Sequence, residues 1–207
     1  QLEYSSYVLI FNPTTTISYG TTEETNNYAM SKFQIEGLCS DPLFHANEDT
    51  YANVASIISL FHFPLIINES DQTPPQIVMG YRSEDFTTKI NNEGSVSTGV
   101  KFVITTENSS VVNPSIINVN TQEYFKINKE ILLGEKVEIN TTIGERSIKG
   151  YLNGKEINYF KYKDIDSSWL QLDQGINLLR CQADSGLNNL IIDLYFNNKY
   201  LEVEECL

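Results

Sequence analysis

Apolar and polar residues alternate in several short stretches of the second half of the chain. Val100, Phe102 and Ile104 fall on one face of a strand predicted over residues 100–106, and Leu190–Phe196 alternates in the same way. Strict alternation is typical of a strand with one buried face. We therefore predict a series of antiparallel strands that pack into a β-sandwich of two sheets.

Turn residues separate these stretches. Asn153-Gly154 is the strongest two-residue hairpin signal in the chain. We expect Gly99 and Gly134 to form turns that each precede a strand, because glycine accepts backbone conformations that other residues avoid. The second of these strands is predicted over residues 137–143, with Ile143 on its apolar face.

The first part of the chain has a less regular pattern. The apolar run 8–11 and the residues after it predict two strands joined at Pro13, and a further strand is expected over residues 29–38. Residues 50–61 have apolar positions at helical spacing, but they fit a strand nearly as well. The sequence leaves these two alternatives open.

Breaks in the pattern divide the chain into three predicted segments. Residues 1–44 would form a small unit of strands, residues 45–75 a connecting segment that ends at paired prolines, and residues 76–207 the sandwich. The 22 Ile and 11 Val against 5 Ala favour sheet over helix. The predicted fold class is therefore all-β. Gln1 at the start leads us to expect a piece of a longer protein.

Net charge and hydropathy argue against two classes of partner, nucleic acids and membranes. A net charge of −13 argues against nucleic acid, which binds clustered Lys and Arg. The longest apolar stretch, residues 54–67, is too short to span a bilayer, so no membrane partner is expected. We interpret Cys39, Cys181 and Cys206 as reduced thiols of a protein made in a cytosol, the first two as small buried hydrophobic residues.

Common catalytic and metal-binding motifs are absent from the sequence. The two histidines are His45 and His62, and no nucleophile elbow or phosphate-binding glycine motif accompanies them. Three widely spaced cysteines do not form a zinc motif. Chance carboxylate pairs are uninformative in a chain with 27 acidic residues. We expect no enzyme activity, no catalytic residues, no cofactor and no metal.

Trp169 is the only tryptophan and the one residue singled out as a candidate contact for a glycan or a partner protein. Its neighbours Leu170 and Leu172 would share the opposite face, with Gln171 in step with Trp169. Packing in the core or at an interface is favoured over sugar binding, because a single aromatic residue makes a poor platform for a sugar.

Ten short segments follow one another in a recognisable order along the chain: Lys32–Ile35, Cys39–Phe44, Phe63–Leu65, Asn91–Gly94, Tyr151–Gly154, Asp166–Leu172, Gly175–Asn177, Ala183–Gly186, Tyr195 and Lys199–Leu201. Together they resemble the distal tail protein (baseplate hub) family of long-tailed phages and phage-tail-like particles. Gln174 and Glu202 depart from the family pattern, at positions where proline and glycine are common.

The resemblance implies a virion structural protein at the end of the tail, made in the bacterial host cytoplasm. Its C-terminal domain would be a galectin-like antiparallel β-sandwich, preceded here by a small β remnant of a truncated, ring-forming N-terminal domain. The family's full-length members would form a hexameric ring that joins the tail tube to the tip protein and offers docking surfaces, including one for a receptor-binding protein. The alternative function is a carbohydrate-binding sandwich for adhesion to a host glycan.

Overall fold

The computed structural model describes residues 2–4, 7–10, 12–14, 18–19, 33–34, 36–55, 57–59, 80–82 and 86–202. In this part of the chain no helix has the length and apolar character needed to cross a bilayer. The regular elements are strands, apart from two short 3₁₀ turns at Phe160–Tyr162 and Leu187–Asn189. The strands are β1 (Leu2–Tyr4), β2 (Tyr7–Leu9), β3 (Asn12–Pro13), β4 (Ser18–Tyr19), β5 (Phe33–Gln34), β6 (Gly37–Leu38), β7 (Phe44–Ala46), β8 (Thr50–Ala55), β9 (Ile57–Ser59), β10 (Gly80–Arg82), β11 (Thr87–Asn92), β12 (Thr98–Thr106), β13 (Val111–Val112), β14 (Ser115–Asn118), β15 (Tyr124–Lys126), β16 (Glu130–Ile131), β17 (Lys136–Asn140), β18 (Ser147–Leu152), β19 (Lys155–Asn158), β20 (Gln171–Leu172), β21 (Gly175–Gln182), β22 (Leu190–Phe196) and β23 (Lys199–Tyr200).

Two antiparallel sheets form the main body. The larger sheet has the order β19-β18-β17-β12-β22-β8, and β20 adds to one end of β12. The smaller sheet has the order β11-β21-β14-β15. The structure therefore confirms the predicted all-β fold and its antiparallel sheets.

The core lies between the inner faces of the two sheets. In β22 the residues Leu190, Ile192, Leu194 and Phe196 are all buried, and those between them are partly exposed. This is the alternation that the sequence predicted. The larger buried apolar side chains that join them are Phe102, Ile104, Ile116, Phe125, Ile127, Ile131, Ile139, Ile148, Leu170, Leu172 and Leu179.

The hairpin between β18 and β19 forms as predicted. Asn153 and Gly154 have φ angles of 51° and 75°, and Leu152 faces Lys155 across the ladder. Two successive positive φ angles match the twist of a two-residue hairpin, and asparagine and glycine adopt them at the lowest cost. The hairpin makes β19 an edge strand of the larger sheet.

A close approach explains the glycine in the middle of β18. A Cβ atom built on Gly150 would lie 2.0 Å from Cε2 of Tyr159, whose ring covers the inner face of the sheet there. Tyr159 is buried and follows β19 directly. Gly150 therefore provides the space into which Tyr159 packs.

A third sheet, also of four strands, joins the two ends of the described chain. Its order is β1-β2-β7-β23, so the last strand pairs with β7 rather than with the sandwich. The ring of Tyr7 meets that of Tyr200 edge to face, with centroids 5.1 Å apart. We call this the leading sheet.

Strand β8 lies in the sandwich, where it pairs with β22. The segment 50–61, left open between helix and strand, therefore forms strands in its described residues. Thr50–Ala55 falls within the predicted connecting segment 45–75 and β23 within the predicted sandwich segment, yet each pairs on the other side of the boundary. The division into three segments stays a prediction, amended by these two strands.

Three local predictions are wrong. Gly99 does not form a turn: it lies within β12, where a Cβ atom would be 2.4 Å from Cα of Thr142, so the glycine permits a close approach. Ile143 is not on a strand face, because β17 ends at Asn140 and Ile143 is 76% exposed. Pro13 does not join two strands, since it lies within β3.

Some predicted features lie outside the described residues, so these predictions are neither confirmed nor contradicted. They are Phe63–Leu65, the paired prolines, His62, Cys206 and half of the strand expected over residues 29–38.

We predict that Gly150→Ala lowers the free energy of unfolding by about 3 kcal/mol, because the new methyl group would overlap the ring of Tyr159. Urea denaturation measures the change. The double variant Gly150→Ala/Tyr159→Ala should lose less than the sum of the two single variants, since removal of the ring makes room for the methyl group. Strict additivity would contradict the packing described here.

Candidate interaction surfaces

Trp169 lies just before β20, and its side chain packs against the margin of the core. Leu170 and Leu172 are buried at 0% and 1% exposure, whereas Trp169 and Gln171 are partly exposed. The predicted alternation over these residues is therefore confirmed. The side chain amide of Gln171 donates to the carbonyl of Thr141 at 2.9 Å, which holds this segment against the turn after β17.

The indole ring of Trp169 has neighbours on several sides. Its centroid is 5.3 Å from that of Phe125 and 5.7 Å from that of Phe160. Two cations also face the ring: the Arg146 guanidinium at 5.6 Å and the Lys163 ammonium at 5.7 Å. These contacts give Trp169 a packing role, whereas contact with a glycan or a partner stays a prediction.

Asp41 contacts the two adjacent strands β7 and β23 of the leading sheet. Its Oδ2 accepts a hydrogen bond from Nζ of Lys199 at 2.9 Å and lies 3.1 Å from Nε2 of His45. Burial would raise the pKa of Asp41, but the hydrogen bond and charge of Lys199 together hold it below its ordinary value. Asp41 is therefore ionised at neutral pH, and it adds side-chain contacts to the paired strands β7 and β23.

A groove of about 510 Å³ lies between the leading sheet and the outer face of the larger sheet. Asp41, His45 and Lys199 line one wall, and Lys101 and Tyr195 project from the opposite wall. Its charges are mixed and largely paired. Among the described residues, no three His, Cys, Asp or Glu side chains are placed to hold a metal ion.

The outer face of the larger sheet carries ion pairs centred on Glu138, one within β17 and one across to β12. Glu138 on β17 accepts from Nζ of Lys136 at 2.8 Å and lies 3.8 Å from Nζ of Lys101 on β12. Lys136 also lies over the ring of Tyr151, 4.5 Å from its centroid. Burial would raise the pKa of Glu138, but the two lysines hold it below its ordinary value. These are stabilising pairs on a solvent face.

A second, shallower depression of about 670 Å³ covers the outer face of the smaller sheet. It is lined by Asp164, Asp166 and Asp184, and Lys126 contacts Asp184 at 3.2 Å. Hydrogen bonds from Asn128 to Asp164 and from Asn113 to Asp184 lower the pKa of each acid. This face is therefore acidic at neutral pH.

Glu135 is a buried carboxylate in the turn before β17. It contacts Nζ of Lys129 at 2.7 Å and accepts a hydrogen bond from the backbone N–H of Leu132 at 3.0 Å. Burial alone would raise the pKa of Glu135, but these partners lower it. Burial, followed by a hydrogen bond to Glu135, raises the pKa of Tyr159 to about 12. The network joins the turn to the segment that follows β19.

The remaining candidate side chains, two cysteines and His45, take part in packing or polar contacts within the fold. Cys181 is buried, as predicted, and burial raises the pKa of its thiol to about 12. The same prediction is wrong for Cys39, which is half-buried with Sγ 2.9 Å from the carbonyl oxygen of Asp41. The imidazole of His45 contacts the carboxylate of Asp41, which is itself engaged by Lys199.

Two of these contacts have no signal in the sequence. Asp41 and Lys199 are far apart in the chain, and Glu135 is one of many acidic residues. The Asp41-Pro42 dipeptide does predict a turn. Only the fold shows that this turn lies beside the last strand.

A comparison with known protein families matches residues 93–200 to the family described as siphovirus-type tail component, C-terminal domain. This range is more than half of the chain. The chain belongs to this family. No curated protein matches its sequence. The matched range of the tail component runs from the turn before β12 to the end of β23, so it includes the strand that pairs with the leading sheet.

Solved structures with a similar fold include proteins of two phages. The Dit protein of phage SPP1, described as a paradigm of the hub adsorption apparatus in phages that infect Gram-positive bacteria, has a TM-score of 0.60 and 14% identity. The match covers 96% of this tail component and 62% of the SPP1 protein. A chain of the phage P2 baseplate, in its activated conformation with calcium, gives 0.51 and 12%, with 98% and 68% covered. The same baseplate with strontium gives 0.50.

We predict that Glu135→Gln lowers the free energy of unfolding of the tail component by about 2 kcal/mol at neutral pH, because Lys129 loses its buried counter-charge. The folded-state pKa of Glu135 lies below its ordinary value of 4.5. Its contribution is therefore complete above that value and is lost as the pH falls through the folded-state pKa.

Urea denaturation at neutral pH and in acid tests this expectation. The difference between Glu135→Gln and the original chain should shrink on acidification. Glu123→Gln is the matched control, since Glu123 is exposed, and it should change stability little at either pH. A difference that stays constant with pH would show that the carboxylate charge is not what stabilises the turn.

Proposed function

We propose that this tail component is part of a distal tail hub that joins the tail tube to the tip and offers docking surfaces for other baseplate proteins. The proposal is supported chiefly by the family match over residues 93–200. The similar fold of the SPP1 hub protein supports it further, and so does the leading sheet, which holds a second unit against the sandwich.

The proposed role is structural and not enzymatic. The carboxylates described above are engaged in ion pairs and hydrogen bonds that hold strands and turns together. The thiol of Cys181 is buried with a raised pKa, which makes it a poor nucleophile. A hub that works through surfaces needs rigid faces and stable junctions, and these contacts supply them.

Ring formation by the full-length protein is the finer part of the proposal. This chain spans 62% of the length of the SPP1 protein. A closed ring of like subunits needs head-to-tail contacts between copies. We propose that the leading sheet belongs to the ring-forming unit, that the sandwich projects from it, and that the protein is made in the host cytoplasm before it enters the particle.

The test is the mass of the full-length gene product, measured by light scattering and native mass spectrometry. We expect a closed ring of about six subunits, because that number matches the hub of the resembled family. The chain of 207 residues, measured at the same concentration, shows whether the ring depends on residues beyond it. A full-length protein that stays monomeric at high concentration would contradict the hub.

A further inference from the structure

Positive charge is concentrated in one short part of this acidic chain. Residues 146–163 contain five of the 14 Lys and Arg residues but only one acidic residue, Glu156. The segment has a net charge of +4, so the rest of the chain carries −17. It forms β18, β19 and the 3₁₀ turn after them. An edge of the sandwich is therefore basic within an acidic protein.

Three of these cations are exposed and free of ion pairs with the described residues. Arg146 lies over the Trp169 ring at 5.6 Å, Lys161 lies over the Tyr162 ring at 4.8 Å, and Lys155 begins β19. Contacts with aromatic rings leave the charge of a cation uncompensated. These three side chains can therefore attract an acidic partner.

The other edges of the sandwich are covered. The free side of β15 is covered by a later segment, since the N–H of Ser168 donates to the carbonyl of Tyr124 at 2.9 Å. Edges β8 and β11 approach each other, and the hydroxyl of Thr88 donates to the carbonyl of Val54 at 3.0 Å. Within the described residues, β19 is the sandwich edge that no segment covers.

The backbone of β19 presents hydrogen-bonding groups to its open side. In an antiparallel ladder, alternate residues direct their N–H and C=O groups away from the neighbouring strand. Because the hairpin closes with Leu152 opposite Lys155, Glu156 and Asn158 hold these positions. All four residues of β19 are exposed. An added strand would find both a donor and an acceptor there.

Exposed apolar side chains accompany this edge. Ile157 is 43% exposed and Phe160 is 49% exposed, and Phe160 packs beside Trp169. An edge strand left open in a monomer is usually short and carries lysine, which prevents pairing with identical chains. The same features select for a partner of opposite charge.

We propose that β19 is a docking edge for an extended acidic segment of a neighbouring protein, which adds to the larger sheet as a further strand. Its backbone pairs with Glu156 and Asn158, and its carboxylates face Arg146, Lys155 and Lys161. Such strand addition takes affinity from the main chain and specificity from the side chains. The partner's place in a phage tail rests on the proposed function, but its chemistry does not.

The test uses the 207-residue chain and a synthetic strand-forming peptide in which glutamate alternates with threonine. Binding is measured by fluorescence anisotropy at low and at high ionic strength. Two variants isolate the backbone contact: Glu156→Pro removes the outward N–H, and Glu156→Gln keeps it. Both lose the exposed ion pair with Lys149, so the comparison reports on the open backbone edge, where proline removes the donor and places its ring in the way of an added strand. Proline is tolerated at the free side of an edge strand, and thermal unfolding checks that both variants are folded.

We expect the peptide to bind Glu156→Gln about tenfold more tightly than Glu156→Pro, since the proline removes one hydrogen bond and blocks the edge. A peptide with lysine in place of glutamate should bind much more weakly, and Lys155→Glu/Lys161→Glu should abolish binding of the acidic peptide. High salt should weaken the interaction.

Equal binding by the proline and glutamine variants would overturn strand addition. So would equal binding of the acidic and basic peptides. Tighter binding to single-stranded DNA or to phosphatidylglycerol vesicles, unaffected by Glu156→Pro, would show a general anion surface instead. A dimer in sedimentation equilibrium that Glu156→Pro abolishes would make a second copy the occupant. None of these results bears on the ring mass, so failure here is distinct from failure of the proposed hub.

Discussion

The pairing of β12 with β22, two neighbouring strands of the larger sheet, is the contact on which the rest of the structure depends. The two strands pair over seven consecutive residues in the middle of the larger sheet. Each alternates buried and partly exposed positions, so both direct their apolar side chains to the same face. Burial of these side chains against the smaller sheet is the main stabilising free energy of such a fold.

Two features relate the larger sheet to its surroundings. Strand β22 is followed within a few residues by β23, which pairs with β7, so the core strand leads directly into the leading sheet. The ion pair between Lys199 and Asp41 strengthens that junction. At the far side of the larger sheet, the hairpin of β18 and β19 forms a basic edge that lies away from this junction. Within the described residues, the larger sheet is therefore followed by the leading sheet after β22 and ends in an open edge at β19.

Local patterns predicted much of this fold, because alternation and turn chemistry act over a few residues. The buried face of β22, the turn at Asn153-Gly154 and the burial of Leu170 and Leu172 were all predicted from neighbouring residues alone. The pairing of β8 with β22 could not be predicted, since it joins strands from opposite ends of the chain. The need for glycine at positions 99 and 150 could not be predicted either, because a side chain or backbone from a distant part of the chain approaches each of them. The contacts of Trp169, Asp41 and Glu135 also depend on tertiary packing.

Hydrogen exchange of the backbone amides tests the central claim most directly. If β8 is part of the sandwich, its amides that pair with β22 should exchange as slowly as those of β12 and β22, through unfolding of the whole core. The outward amides of β19 should exchange fast. Early exchange across Thr50–Ala55, while β12 and β22 stay protected, would show that β8 belongs to a connecting segment and would contradict the larger sheet as described.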